Sequence, residues 1–146
     1  MTVSRWLALR RHLDRVLAAV GALVTAPVVA VLAVAVRRHD GARAIIRVPR
    51  VGQGGRTFDM WKIRTMRADG ADGRAAGPPL AGAHDDRVTP LGRRLRSVHL
   101  DELPQLYNVL KGTMSLVGPR PPLPSEVAEY ETDTRRRLLV KPGMTG

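Results

Sequence analysis

Two adjacent carboxylates, Asp101 and Glu102, stand in the stretch LDELPQLYNVLKGTMSLVGPRP, which ends in a Pro-Arg-Pro turn. A pair of acids beside a fixed arginine is what phosphate chemistry with a divalent metal requires. A helix is expected from about Pro104, with Leu103, Leu106, Tyr107 and Leu110 at i, i+3, i+4 and i+7 and Gly112 as its stop. The acids then lie at a helix N-terminus, where free backbone donors and the helix dipole favour ionised carboxylates, attract phosphate and can hold a bridging metal. Arg120, pinned between Pro119 and Pro121, offers a preset fork to phosphate oxygens. Such a site can activate a pyrophosphate bond, with one carboxylate as nucleophile and Mg²⁺ neutralising charge on the phosphoryl oxygens. An acid just before a helix is also the commonest N-cap, and taken alone the pair favours capping over catalysis. Of the four histidines only His99, two residues before Asp101, is close to this chemistry; His12, His39 and His84 are scattered without ligand-like spacing.

The elements that must position these residues begin with an uncharged run, VLAAVGALVTAPVVAVLAVAV, from Val16 to Val36. As a continuous helix it would reach roughly 30 Å, the thickness of a bilayer core. It is too long for the apolar part of a usual secretory signal and lacks a small-x-small cleavage site. Pro27 removes a backbone donor near its middle and is expected to kink or break the helix. Arginines flank both ends, with Arg5, Arg10, Arg11 and Arg15 before and Arg37, Arg38 and Arg43 after. Positive charge marks the cytoplasmic side, so charge at both ends favours a re-entrant hairpin that returns to one face over a simple span.

The 146 residues suffice for one domain. Their 24 Lys and Arg against 13 Asp and Glu give a net charge of +11, which calls for an anionic partner. With only five aromatic residues to stack bases, and an uncharged run, nucleic acid is the weakest candidate for that partner. The absence of cysteine excludes disulfides and Cys-based zinc sites.

Ile45, Ile46 and Val48 mark a strand over residues 44–50, and RVGQGGRTFDMWKIRTM continues it through a glycine turn into a second strand-like run. The glycines favour a hairpin turn over a phosphate cradle. Lys62 and Arg64 fall on one face of the second run, either as a solvated basic face or as an anion site. Residues 68–86, rich in Gly, Ala, Pro and Asp, form a long loop suited to a lid or binding role. Asp69, Asp72, Asp85 and Asp86 within it suit turns and caps better than a metal. Thr89-Pro90 opens a short helix to about Ser97. Residues 126–139 read as a polar helix, and KPGMTG as a closing turn.

Taken in order, the proline-broken apolar segment, RVGQGGRTFDMWKIRTM, DDRVTPLGRRLRSVHLDELPQLYNVLKGTMSLVGPRP and KPGMTG resemble the bacterial sugar transferase family, the small monotopic phosphoglycosyl transferases. The resemblance covers nearly the whole chain and reverses the preference for capping. It implies transfer of a sugar-1-phosphate from a nucleotide sugar, usually a UDP-sugar, to a polyprenyl phosphate, the first step of exopolysaccharide or glycoconjugate assembly. It places a covalent phosphosugar on Asp101, with Glu102 as Mg²⁺ ligand or proton-transfer group and both acids as the metal's ligands. Arg120, Lys62, Arg64 and Arg50 would bind substrate phosphates. The implied fold is α+β and mainly α: a re-entrant membrane helix over residues 1–40, then a cytoplasmic catalytic domain over 41–146 with a β-hairpin and short amphipathic helices. The implied location is the bacterial inner membrane, with catalysis on the cytoplasmic face. The partners are the two substrates and the membrane, with no nucleic acid; a homodimer is left open. Thr113 stands where the family usually has an aspartate, and Ile63 replaces a usual phenylalanine. Relatives continue beyond the position of Gly146, so the C-terminal part of the domain is expected to be missing. The alternative is a truncated, inactive membrane-anchored remnant of the family.

Overall fold

The uncharged run folds into helix α1, Val3–Asp40, in a computed structural model that describes residues 3–68 and 85–145. Pro27 lies inside it, and the helix continues through that position instead of breaking there. One missing N–H removes a single rung of the ladder, and apolar residues on both sides keep propagating it. Within Arg5–His39 the most apolar window has a mean hydropathy of 2.5, and 6% of it is buried. This is long and apolar enough to cross a membrane, and the outer face, with Leu23 at 78% exposure, is left uncovered by the protein.

Beyond α1 the order is β1 (Ile45–Val51), β2 (Thr57–Ile63), α2 (Pro90–Ser97), a 3₁₀ turn over Leu100–Gln105, α3 (Leu106–Lys111), β3 (Ser115–Val117), α4 (Pro124–Ala128), a second 3₁₀ turn over Thr134–Leu139 and β4 (Gly143–Thr145). The fold is mixed helix and strand, mostly helical, as expected. β1 and β2 form the two-stranded hairpin, closed by Gly52 N–H donating to the Arg56 carbonyl at 2.8 Å. The glycines therefore turn the chain. The polar helix expected over residues 126–139 is instead two short pieces, α4 and the 3₁₀ turn. Glu129, Glu131 and Asp133 followed by Arg135–Arg137 supply no apolar face that would hold a continuous helix to a core. Residues 69–84, including Asp69, Asp72 and His84 and most of the expected loop, lie outside the described residues.

The chain gathers into two compact units. One comprises the chain up to Val24, Val48–Met60 and the chain from Gln105 onward. Its core sets Ala18 of α1 against Met60, Leu106, Val109 and Met114. Parallel pairing of β3 with β4, Ser115 opposite Gly143 and Val117 opposite Thr145, holds the KPGMTG segment. The other comprises Thr25–Arg47 and Trp61–Pro104, with a core of Val36, Ala44, Ile63 and Leu95. There Thr89 caps α2 as expected, its hydroxyl accepting from Gly92 N–H at 2.9 Å. Gly92 has to be glycine because a Cβ there would overlap the Thr65 carbonyl.

Candidate active site

Asp101 and Glu102 sit in the 3₁₀ turn Leu100–Gln105, one turn before α3. The turn is anchored by Leu100, which packs on the Ile63 core, and is entered through His99, whose φ of 57° is left-handed. A left-handed non-glycine residue stores strain of the kind that collects beside functional groups. His99 is the reversal point between α2 and the turn: its N–H donates to the Arg96 carbonyl, and its own carbonyl accepts from Glu102 N–H, both at 3.2 Å. No glycine marks this position, so the sequence carries no signal for the reversal.

The hairpin supplies the third charge. Lys62, next to the end of β2, places Nζ 2.8 Å from Asp101 Oδ2 and 3.6 Å from Glu102 Oε1. Ile63, fully buried in the core, fixes that strand end and so fixes the lysine. The Asp101 side chain is 2% exposed, whereas Lys62 and Glu102 are open at 20% and 22%. One ammonium thus faces two carboxylates, which leaves an excess negative charge at a partly open mouth. Among the described residues the buried Asp101 Oδ2 has no hydrogen-bond partner beyond the Lys62 ammonium of its ion pair. A buried oxygen in that condition retains lone-pair capacity for a cation or an electrophile.

Arg64, expected on substrate phosphate, is placed otherwise. It follows β2, is 3% exposed, and donates Nε to the Arg43 carbonyl at 2.8 Å and Nη1 to the Met66 carbonyl at 3.0 Å. Its guanidinium ties the segment after α1 to the segment after β2. Arg96 Nε bonds Thr65 Oγ1 at 2.8 Å and fastens α2 to the same strand end. Asp85 shapes the turn ahead of α2: its carboxylate accepts from Arg87 Nε and Arg87 N–H, each at 2.9 Å. Those bonds, the side-chain one foremost, hold its pKa down to about 2.

Arg120 and Arg50 belong to the other unit. Arg120 lines a cleft of about 400 Å³ together with Pro121, Pro122, Glu126, Glu129, Tyr130 and Arg137. Arg50 Nη1 donates to the Pro121 carbonyl at 3.3 Å, which steadies the Pro-Arg-Pro turn from behind. Glu126 is taken up in capping α4, its Oε2 accepting from Leu123 N–H at 2.6 Å. Arg137 and Tyr130 escape a reading of the sequence, since nothing separates Arg137 from its neighbours in the run Arg135–Arg137.

Among the described residues no group of three or more His, Cys, Asp or Glu side chains converges. The oxygen donors of Asp101 and Glu102, one of them buried with only the Lys62 ammonium against it among the described residues, nevertheless suit Mg²⁺, which binds through one or two carboxylates and fills its remaining positions with water and substrate phosphate.

The family model described as bacterial sugar transferase matches residues 5–146. The chain belongs to the bacterial sugar transferase family. It is 42% identical over 142 residues to the UDP-glucose:undecaprenyl-phosphate glucose-1-phosphate transferase of Caulobacter vibrioides, covering 94% of this chain and 51% of that protein. It is 41% identical over 145 residues to a galactosyl transferase of Streptococcus agalactiae, covering 94% of this chain and 32% of the relative. A putative undecaprenyl-phosphate N-acetylgalactosaminyl 1-phosphate transferase of Bacillus subtilis is 37% identical over 130 residues, covering 89% of this chain and 71% of its own. The chain thus spans about a third to a half of the streptococcal and Caulobacter relatives.

Proposed function

We propose that this bacterial sugar transferase moves a sugar-1-phosphate from a UDP-sugar to a polyprenyl phosphate, with Asp101 as nucleophile. The observation that carries the reading is the buried Asp101 carboxylate, its Oδ2 held 2.8 Å from Lys62 Nζ beside Glu102 in a chain of this family. An Asp101 oxygen attacks the phosphorus that bears the sugar, the pyrophosphate P–O bond breaks, and its electron pair leaves on UMP. The phosphate oxygen of the polyprenyl acceptor then attacks the same phosphorus. The aspartyl P–O bond breaks, the carboxylate is regenerated and a polyprenyl diphosphate sugar leaves.

Lys62 holds Asp101 in position and supplies positive charge where the phosphoryl oxygens gain negative charge. Asp101 and Glu102 would hold Mg²⁺, which when bound neutralises phosphoryl charge and favours departure of UMP. Arg120 offers its guanidinium to substrate phosphate, and Arg50 serves it by steadying the turn. The apolar surface of α1 would seat the protein in the inner membrane. Its arginines at both ends support a re-entrant course, with catalysis on the cytoplasmic face and the product entering glycoconjugate or exopolysaccharide assembly.

The test is UMP release by the full chain in membranes, across a panel of UDP-sugars, with and without undecaprenyl phosphate and Mg²⁺. Multiple-turnover release is expected only with the acceptor and the metal present. Release that survives Asp101→Asn would refute the assigned nucleophile.

A further inference from the structure

Arg15 is the last charged residue before the uncharged run of α1, and Arg11 lies one turn earlier on the same stripe of the helix. That stripe continues through Ala19 to Leu23, which is among the most exposed apolar side chains of the chain. A third cation, Lys141, arrives from the far end of the sequence in the same unit, held there by the pairing of β3 with β4. Arg15 and Lys141 converge at Gly112, the left-handed cap of α3 with φ 79°, while Arg11, its Nε donating to the Leu7 carbonyl at 3.2 Å, acts on Lys141 through its charge. Arg15 Nη2 lies 3.1 Å and Lys141 Nζ 3.5 Å from the position a Cβ on Gly112 would take. Glycine is needed here for the backbone, and the two cationic side-chain ends lie against its open face.

Among the described residues Asp14 is the acid that acts on this cluster, one carboxylate against three cations. Asp14, the carboxylate that acts on Lys141, accepts a hydrogen bond from Ser115 Oγ. Among the described residues neither Arg15 nor Lys141 forms an ion pair. Burial, and then repulsion from Arg11 and Arg15, hold the Lys141 ammonium below its ordinary pKa, with Asp14 offsetting them in part. Like charges gathered with a single carboxylate among them repel one another, and an anion drawn to them would relieve that repulsion. Its position at the charged edge of the apolar run is the level at which lipid phosphates lie.

We infer that Arg11, Arg15 and Lys141 form a binding site for the phosphate of an anionic phospholipid, separate from the acid pair at Asp101 and Glu102. The inference rests on the reading of α1 as the membrane segment.

The experiment places the full chain in phosphatidylcholine nanodiscs, with a minority of phosphatidylglycerol or with inorganic phosphate instead. Lipid retained on release is measured by native mass spectrometry, and the Lys141 side chain is titrated by NMR. Retention of phosphatidylglycerol over phosphatidylcholine and a rise in the Lys141 pKa are expected. Arg15→Gln and Lys141→Gln should each lower the preference by about fivefold, while Lys141→Arg keeps it. An undiminished preference in the Arg15→Gln/Lys141→Gln double variant would overturn the site. An equal pKa rise with inorganic phosphate alone would overturn the lipid assignment. Wild-type chain that enters the discs without preferring phosphatidylglycerol refutes this inference alone; chain that fails to enter them refutes the membrane reading as well.

Discussion

At Lys62, Asp101 and Glu102 the charges meet one another, and the aspartate is almost fully withdrawn from water. In the cleft at Arg120 the polar groups lie on an open wall, with the arginine exposed and Glu126 committed to the backbone of α4. The first region is organised before any substrate arrives, because strand β2, the Ile63 core and the left-handed His99 fix where its groups stand. The second offers charge to whatever enters and can adapt to it. Bond-making asks for the first kind of arrangement and ligand capture for the second. On the proposed function the two regions divide chemistry from binding, and substitutions should separate them.

The largest effect is expected at Asp101. Asp101→Asn should lower turnover by at least about 10³-fold with the fold intact, because it removes the nucleophile itself. Arg120→Ala should cost roughly 10²-fold in kcat/KM, since one donor to phosphate is lost. A greater loss at Arg120 than at Asp101 would invert the division.

Lys62→Met tests the organised region by stability. It leaves a buried carboxylate without its ammonium, at a cost of about 3 kcal/mol in thermal or denaturant unfolding. Added Mg²⁺ should recover part of that loss if the acids can take a cation in place of the lysine, and no recovery would count against the metal assignment.

Arg64→Leu should destabilise by about 2 kcal/mol through the carbonyls of Arg43 and Met66 that it leaves unsatisfied, with KM for the UDP-sugar unchanged in the folded fraction. A raised KM would return Arg64 to the substrate.

The smallest effect is at Asp85. Its carboxyl pKa is lowered to about 2 in the fold, so its contribution to stability is full above its ordinary value near 3.8 and is lost as pH falls through about 2. NMR titration should find this midpoint, and Arg87→Gln should move it back toward the ordinary value.

Much of this arrangement was legible in the sequence where a single residue decides local geometry. Thr89-Pro90 marked the start of α2, Gly112 the end of α3, and the hairpin followed from β-branched runs around Gly52, Gly54 and Gly55. The acid pair was visible as chemistry, whereas Lys62 was expected on substrate phosphate and its ion pair with Asp101 was not foreseen. What escaped depended on tertiary placement. Lys62 and Arg64 share a strand spacing, yet one faces the acids and the other is drawn inward to backbone carbonyls, because the strand ends between them. The positive φ of His99 has no glycine to announce it. The gathering of Arg15 and Lys141 at Gly112 joins residues from opposite ends of the chain, and no local pattern encodes it.

The central claim is that Asp101 carries the sugar phosphate between donor and acceptor. Its most direct test is intact and peptide mass spectrometry of the full chain after brief exposure to a UDP-sugar without polyprenyl phosphate. The account predicts one added sugar-phosphate, located on the peptide containing Asp101, lost when polyprenyl phosphate is supplied and absent in Asp101→Asn. Turnover without any such adduct, or an adduct on another residue, would contradict it.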